Sequence, residues 1–243
     1  MSASVFGAAS AQVVVGAPGD PGHGNCYPFG CTSLGVQFGW GPEYQQVYNS
    51  TDFSGPITIS SLTFYNHNFI APGISSQVDS GTFQISLSTT SAAVNGLDIN
   101  TLSNNIGGDN TVVYDTSLPS LSGPGGIGGE LTIPLSTPFT YDPSGGNLLL
   151  DVFSTDATIS PNGFGAYLDS YAGDAPGDIF SRTYSTSASY LPNDYNTNFG
   201  LVTGFNVAAG AVPEPATWAM LMLGFGGLGV AMRSRRRQVR AVA

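Results

Sequence analysis

Short stretches of alternating apolar and polar residues run through the middle of the chain. Residues 83–87 (FQISL) and 131–135 (LTIPL) carry an apolar side chain at every second position, and residues 57–59 and 62–64 continue the same pattern. A period of two is typical of β-strands with one face buried and the other in solvent. Residues 148–153 (LLLDVF) are almost continuously apolar, which predicts a strand covered on both faces.

Clusters of Gly, Pro, Asn and Asp separate these predicted strands, for example at residues 52–56, 107–110 and 142–147. Such clusters are typical of turns. Pro134 interrupts one alternating stretch, so we expect it on an edge strand or at a bulge. Since no helical period is found between the turns, residues 12–205 predict an all-β, antiparallel β-sandwich of the jelly-roll or Greek-key type.

The charges of the chain are few and unevenly distributed. Only 9% of residues are charged, and there is no Lys. Residues 1–232 contain sixteen acidic residues and one basic residue, Arg182, which gives a formal net charge of −15. Because phosphate contacts require Lys or Arg, this distribution excludes nucleic acid as a partner.

A C-terminal apolar segment predicts one transmembrane helix after the sandwich. Residues 216–232 are uncharged and mostly apolar, and as a helix they would span about 25 Å, which lies within the range for crossing a bilayer. A stop-transfer cluster of arginines follows at once: Arg233, Arg235, Arg236 and Arg237. By the positive-inside rule these arginines lie in the cytoplasm and the acidic body lies outside it.

The residues before this helix form a more specific pattern than the start of an ordinary helix requires. A short linker, residues 206–212, leads to Pro213, Glu214 and Pro215, and Trp218 follows at the first end of the apolar segment. Proline and glutamate also suit a first helical turn for local reasons alone. The order Pro-Glu-Pro, Trp-Ala, apolar helix and arginine cluster resembles the PEP-CTERM sorting signal over residues 213–237, with residues 238–243 as a tail.

The resemblance implies that the protein is the substrate of a processing enzyme rather than an enzyme itself. Proteins with this signal are exported by Gram-negative bacteria that make exopolysaccharide, and a membrane-embedded exosortase is thought to recognise Pro-Glu-Pro and to remove the helix. By position, Pro213, Glu214 and Pro215 are then the recognised residues. An inner-membrane precursor with its body in the periplasm would mature into a protein of the cell surface or extracellular matrix.

The N-terminal region contains only part of the signal peptide that export would require. Residues 9–11 (ASA) match a signal-peptidase site, so we expect residues 1–11 to be the remnant of a signal peptide whose start lies upstream. The alternative is an ordinary flexible N-terminus. Cys26 and Cys31 are close in sequence, and in an exported protein we expect a small disulfide. Two alternatives stay open, namely free thiols, or a metal site that adds His23 to the two cysteines.

The rest of the sequence holds little catalytic chemistry. Residues 123–128 match GxGxxG, but a strand pattern rather than a helix follows, so we expect a loop. His23 and His67 have no catalytic partners that spacing can identify, and we expect no enzyme, no catalytic residue and no bound cofactor. Calcium is possible, because many acids lie in or near predicted loops, although no EF-hand pattern occurs. These acids are Asp109, Asp142, Asp151, Asp156, Asp169, Asp174 and Asp178.

Together these observations predict a non-enzymatic protein of the surface or extracellular matrix, sorted by an exosortase in an exopolysaccharide or biofilm context. The alternative is a carbohydrate- or calcium-binding module of the same matrix, and a secreted hydrolase is a weaker third hypothesis.

Overall fold

The computed structural model of the protein describes residues 11–19, 23–31, 40–67, 77–122, 129–158, 165–186 and 198–208. The chain divides into two compact units, of which Ser10–Ala208 contains every described residue. The predicted transmembrane helix at 216–232 and the first ten residues of the predicted remnant at 1–11 lie outside the described residues. Within the described part, no helix is long and apolar enough to cross a membrane.

Twelve strands and three short 3₁₀ turns make up the described secondary structure, so the prediction of an all-β, antiparallel fold is confirmed. The strands are β1 (Gln12–Val15), β2 (His23–Asn25), β3 (Trp40–Tyr48), β4 (Ile57–Tyr65), β5 (Thr82–Thr90), β6 (Thr111–Ser117), β7 (Glu130–Tyr141), β8 (Asn147–Phe153), β9 (Leu168–Ala172), β10 (Phe180–Thr186), β11 (Phe199–Leu201) and β12 (Thr203–Val207). The 3₁₀ turns are Ser50–Asp52, Leu102–Asn105 and Pro143–Gly145.

The strands form three antiparallel sheets. Their orders are β1-β12-β4-β7, β10-β3-β8-β5-β6 and β11-β9-β2. Pairing in the two larger sheets is nested along the chain: β5 with β6, β4 with β7, β3 with β8, and β1 with β12. This is the order obtained when one long antiparallel hairpin rolls up, as in a jelly roll.

One apolar core lies between the four-stranded and the five-stranded sheet. Leu62 and Phe205 of the first sheet and Tyr48 and Leu150 of the second belong to the same buried cluster. The Tyr48 and Phe205 rings pack edge to face with their centroids 5.0 Å apart. Because successive strand residues point to opposite faces, the alternating pattern read from the sequence is what brings these side chains together.

The five-stranded sheet is also covered on its outer face. Residues 91–110, here called the covering segment, place Leu97 against Val47 and Leu149, and all three side chains are buried. Leu148 and Leu150 point the other way into the main core. The structure therefore agrees with the continuous apolar run of β8, which predicts a strand buried on both sides.

The expectation of a solvent-facing side for residues 83–87 is wrong. Ser86 and, next to the stretch, Ser88 are buried on the polar side of β5. The covering segment gives the buried Ser88 hydroxyl a hydrogen-bond partner, since the backbone N–H of Gly107 donates to Ser88 Oγ at 3.1 Å. Alternation marks which residues share a face, but it cannot show that a distant loop returns to cover the polar one.

Pro134 lies on β7, which is an edge strand of the four-stranded sheet, as expected. The register between β4 and β7 shifts between Ile59 and Ser61, and Ser61 is paired with Pro134. Proline lacks the N–H that a central strand must donate, so an irregular edge position is where it does least damage.

The end of the body differs slightly from the expected linker at 206–212. Strand β12 continues to Val207, and both Asn206 and Val207 are paired with β4. The Val207 N–H also donates to the carbonyl of Ala11 at 2.8 Å. The strand therefore includes the first two linker residues, and the remainder beyond Ala208 lies outside the described residues.

The covering segment offers a test with a matched control, Gly107→Ala against Gly108→Ala. A Cβ added at Gly107 would stand 1.8 Å from the carbonyl oxygen of Thr89, whereas one at Gly108 would meet nothing within 4 Å. Because the obstacle at Gly107 is backbone, we expect Gly107→Ala to lower the free energy of unfolding by about 3 kcal/mol and Gly108→Ala to change it by less than about 0.5 kcal/mol. Urea unfolding followed by circular dichroism measures both, and equal midpoints would contradict this packing.

Candidate functional site

Cys26 and Cys31 are joined by a disulfide with their Cα atoms 5.3 Å apart. Cys31 is buried in the core. His23 instead has Nε2 3.4 Å from Asp174 Oδ2. Because the two sulfur atoms are bonded to each other, Cys26, Cys31 and His23 do not form the alternative metal site in this structure. Among the described residues, no group of three or more His, Cys, Asp or Glu side chains is placed to hold a metal ion.

Removing the bridge with Cys26→Ala/Cys31→Ala should destabilise the body. The disulfide closes a six-residue ring, and for a ring of that size the chain-entropy model gives a loss of about 2 kcal/mol. Urea unfolding compares the variant with the unmodified chain. As a check on the bond itself, mass spectrometry without reduction should find the two cysteines linked, and two alkylatable thiols in freshly purified protein would refute it.

His67 is held by a carboxylate that spacing could not identify. Its Nδ1 lies 2.9 Å from Asp169 Oδ1, 102 residues away in sequence. The other oxygen of Asp169 accepts from the backbone N–H of Gly19 at 2.7 Å. Gly24 lies under the imidazole, because a Cβ there would come within 2.6 Å of the ring.

The His67–Asp169 pair joins the chain just after β4 to strand β9 of the three-stranded sheet. Asp169 belongs to β9 and Gly24 to β2, and the two residues are paired in register. The side-chain partner that the structure gives His67 is Asp169, and no hydroxyl or thiol among the described residues is bonded to its ring. A histidine and an acid can act on a nucleophile only when one lies within hydrogen-bond reach of the histidine.

Several of the acids considered for calcium accept hydrogen bonds from protein N–H groups. Asp109, Asp142 and Asp156 accept from the N–H groups of Thr89, Ser144 and Thr82 at 2.7–2.9 Å. Asp174 likewise accepts from Ala172, and Asp178 accepts from the side chain of Asn95. The bonds of Asp142 and Asp174 span two residues, as in turns, whereas those of Asp109 and Asp156 join distant loops to β5.

Asp151 is different, because it lies on the outer face of the five-stranded sheet with a second acid nearby. It is paired in register with Gln45 of β3, and Glu43, two residues before Gln45, lies on the same face of that strand. Burial, and secondly the negative charge of Glu43, raise the pKa of Asp151 to about 7. Burial also raises the pKa of Glu43. Asp151 Oδ1 is buried and has no hydrogen-bond partner in the described structure.

The amide of Gln45 lies between these carboxylates and is tied to the covering segment. Its Nε2 donates to the carbonyl of Leu102 at 3.2 Å, and its Oε1 accepts from Asn105 Nδ2 at 2.9 Å. In the sequence, Asp151 is one acid among several in or near predicted loops, and Glu43 belongs to no motif. For Asp151, the signal that could have found it is that it interrupts the apolar run of residues 148–153.

The remaining predicted site residues lie outside the described residues. They are residues 123–128 of the GxGxxG match, Pro213, Glu214, Pro215, Trp218, Arg233, Arg235, Arg236 and Arg237.

Comparison with known protein families identifies the C-terminal segment. Residues 211–237 match the family model of the PEP-CTERM protein-sorting motif. The chain carries a PEP-CTERM sorting motif. The matched range contains the predicted Pro-Glu-Pro, the apolar segment and the arginine cluster, and it ends at the residue where the predicted signal ends. The PEP-CTERM motif implies export, a membrane-anchored precursor, and an exosortase as the processing partner.

No curated protein and no solved structure matches the chain. The family-model match at residues 211–237 covers the sorting segment only and does not extend into the β-sheet body.

Proposed function

We propose that the protein is a non-enzymatic component of the cell surface or extracellular matrix, and that its jelly-roll body is delivered there by exosortase processing. The match of residues 211–237 to the PEP-CTERM sorting motif carries this proposal. In this scheme residues 216–232 cross the inner membrane, the arginine cluster stays in the cytoplasm, and the body faces the periplasm.

The body is suited to survive outside the cytoplasm. The Cys26–Cys31 disulfide is stable under the oxidising conditions of exported proteins. The absence of Lys and the net charge of −15 over residues 1–232 favour solubility in a crowded, polymer-rich surrounding. A matrix rich in exopolysaccharide is the context in which such a body would be retained.

Two strains that differ only in the presence of an exosortase gene test the sorting step. We expect the full chain to become shorter at its C-terminus in the strain that contains the exosortase and to remain a membrane-bound precursor in the other. C-terminal peptide mass spectrometry of both fractions locates the cut. Identical chains in the two strains would refute exosortase processing.

Reporter fusions test the proposed topology independently. A reporter that is active only in the periplasm should be active when inserted after Gly210 and silent when fused after Ala243, because five arginines disfavour transfer of the C-terminus. Activity only at the C-terminal position would overturn the orientation.

A further inference from the structure

Asn95 connects the covering segment to three other parts of the body. Its backbone N–H donates to Oγ of the buried Ser181 on β10 at 2.7 Å. Its side-chain amide donates to Asp178 Oδ1 at 3.2 Å and to Asn198 Oδ1 at 2.8 Å. Its Oδ1 accepts from the backbone N–H of Asn198 at 2.8 Å. One exposed residue therefore holds the covering segment against residues that lie 83 to 103 positions away in sequence.

The backbone of Asn95 limits which residues fit at this position. Its φ of 62° lies in the left-handed region, which asparagine and aspartate adopt more readily than other residues with a side chain. An aspartate here would keep the turn, but it has no N–H to donate to Asp178 and Asn198. Its carboxylate would also lie beside that of Asp178, and like charges repel each other. The contact therefore depends on the amide of Asn95 and not on the turn alone.

The residue after Asn95 is Gly96, and an Asn-Gly pair is chemically reactive. Glycine has no Cβ to shield its nitrogen, so the Gly96 nitrogen can attack Cγ of Asn95. The nitrogen gives up its proton, a C–N bond forms, and the side-chain nitrogen leaves as ammonia. Water then opens the cyclic imide at either carbonyl, which gives aspartate or isoaspartate. The sum is hydrolysis of an amide, in which nothing is oxidised or reduced.

In the folded chain both reacting groups are engaged by other partners. The Gly96 N–H donates to the carbonyl of Ala93 at 2.9 Å. The side-chain amide of Asn95 is held by Asp178 and Asn198. For the nitrogen to reach Cγ, the side chain must leave these partners and the Gly96 N–H must leave its carbonyl. The reaction therefore requires local opening of the covering segment, and local opening costs less free energy than global unfolding.

We propose that Asn95 is a deamidation site whose rate is set by opening of the covering segment, and whose products prevent the segment from closing fully. Aspartate loses both hydrogen bonds that the amide donates. Isoaspartate loses them too, and it also lengthens the backbone by one carbon within a left-handed turn. The reaction needs only water, and the site lies in the body and is independent of the sorting motif.

The first test compares the folded with the unfolded chain by peptide mass spectrometry. The full chain, kept in nonionic detergent, is incubated in mildly alkaline buffer with and without urea, and deamidation is followed through the mass change of the peptide that contains Asn95. A second Asn-Gly pair, Asn162 and Gly163, lies outside the described residues and checks the chemistry in urea, where both pairs should react at similar rates.

Without urea we expect Asn95 to react at least about 10-fold more slowly than in urea, because only the open segment reacts. Equal rates with and without urea would overturn the control by opening. Failure of Asn95 to react in urea would overturn the site itself. This comparison uses the unmodified chain, so it does not depend on the folding of any variant.

A pair of serine variants tests whether the contacts of Asn95 set the rate. Ser181→Ala removes the acceptor of the Asn95 backbone N–H, and Ser91→Ala is the matched control at an exposed position of the covering segment. Without urea, Ser181→Ala should speed deamidation about 2- to 10-fold, which is the factor that one hydrogen bond contributes to an equilibrium. Ser91→Ala should leave the rate unchanged, and equal rates in the two variants would contradict the proposal.

The effect of the product is measured with Asn95→Asp, which introduces the aspartate directly. Hydrogen exchange followed by mass spectrometry should show faster exchange of residues 91–110 than in Asn110→Asp, which adds the same charge at an exposed position of the same segment. Exchange in β5 and β8 should be the same in both variants, which shows that the sheet stays folded. Equal exchange of residues 91–110 in the two variants would overturn the role of the Asn95 amide.

Discussion

We expect Glu214→Gln to stop processing of the chain while leaving its export and membrane insertion intact. If Pro213-Glu214-Pro215 were only a helix start, loss of one charge near the helix N-terminus would cost about 0.3–1 kcal/mol. A helix held in lipid by 17 mostly apolar residues would not be released by so small a change. An enzyme that recognises the carboxylate would instead lose its substrate, so the precursor should accumulate in the inner membrane.

The measurement is the ratio of precursor to mature protein in a host with its own exosortase. Glu130→Gln is the matched control, since it removes an exposed carboxylate of the body and should be processed as the unmodified chain is. In a host without exosortase, all three chains should remain anchored. Equal processing of Glu214→Gln and the unmodified chain would reduce Pro213-Glu214-Pro215 to a local helix start.

The second large effect concerns stability and pH. Asp151→Asn should stabilise the body at neutral and alkaline pH and have little effect near pH 4. Burial and the charge of Glu43 raise the pKa of Asp151 from 3.8 to about 7. Between these values the folded chain keeps a proton that the unfolded chain has released, so the contribution of Asp151 to stability falls as pH rises.

If the whole pKa difference between the folded and unfolded chain acted on stability, it would change the free energy of unfolding by about 4 kcal/mol at most. Since Asp151 is partly solvated and coupled to Glu43, we expect Asp151→Asn to gain about 2 kcal/mol above pH 8. Urea unfolding from pH 4 to pH 9, expressed as the difference between variant and unmodified chain, isolates Asp151 from the other titrating groups.

Two further variants separate the causes. Asp115→Asn removes an exposed acid of β6 and is the control for the loss of one negative charge. Glu43→Gln should lower the pH at which Asp151 loses its proton, because the charge of Glu43 is the second cause of the raised pKa. A stability gain for Asp151→Asn that is equal at pH 4 and pH 9 would contradict a buried, protonated Asp151.

The strands of the body could be predicted where side chains alternate or run apolar, as in β5, β7 and β8, because backbone geometry alone converts such patterns into faces. Pro134 could be placed for a similar reason, since a missing N–H restricts it to an irregular or edge position. The covering segment could not be predicted. Its contact with Val47 and Leu149 depends on a return of the chain over the sheet, for which residues 91–110 give no periodic signal.

The same division holds for the functional residues. A sorting signal is a linear order of residues, so it can be found in sequence, and the match at residues 211–237 confirms the predicted PEP-CTERM motif. The sequence by itself also determined the all-β class and the separation of an acidic body from a basic C-terminus. Only the tertiary structure joined His67 to Asp169 and placed Asp151 near Glu43. Such pairs form between strands distant in sequence, so their chemistry depends on sheet order and register, which no local pattern contains.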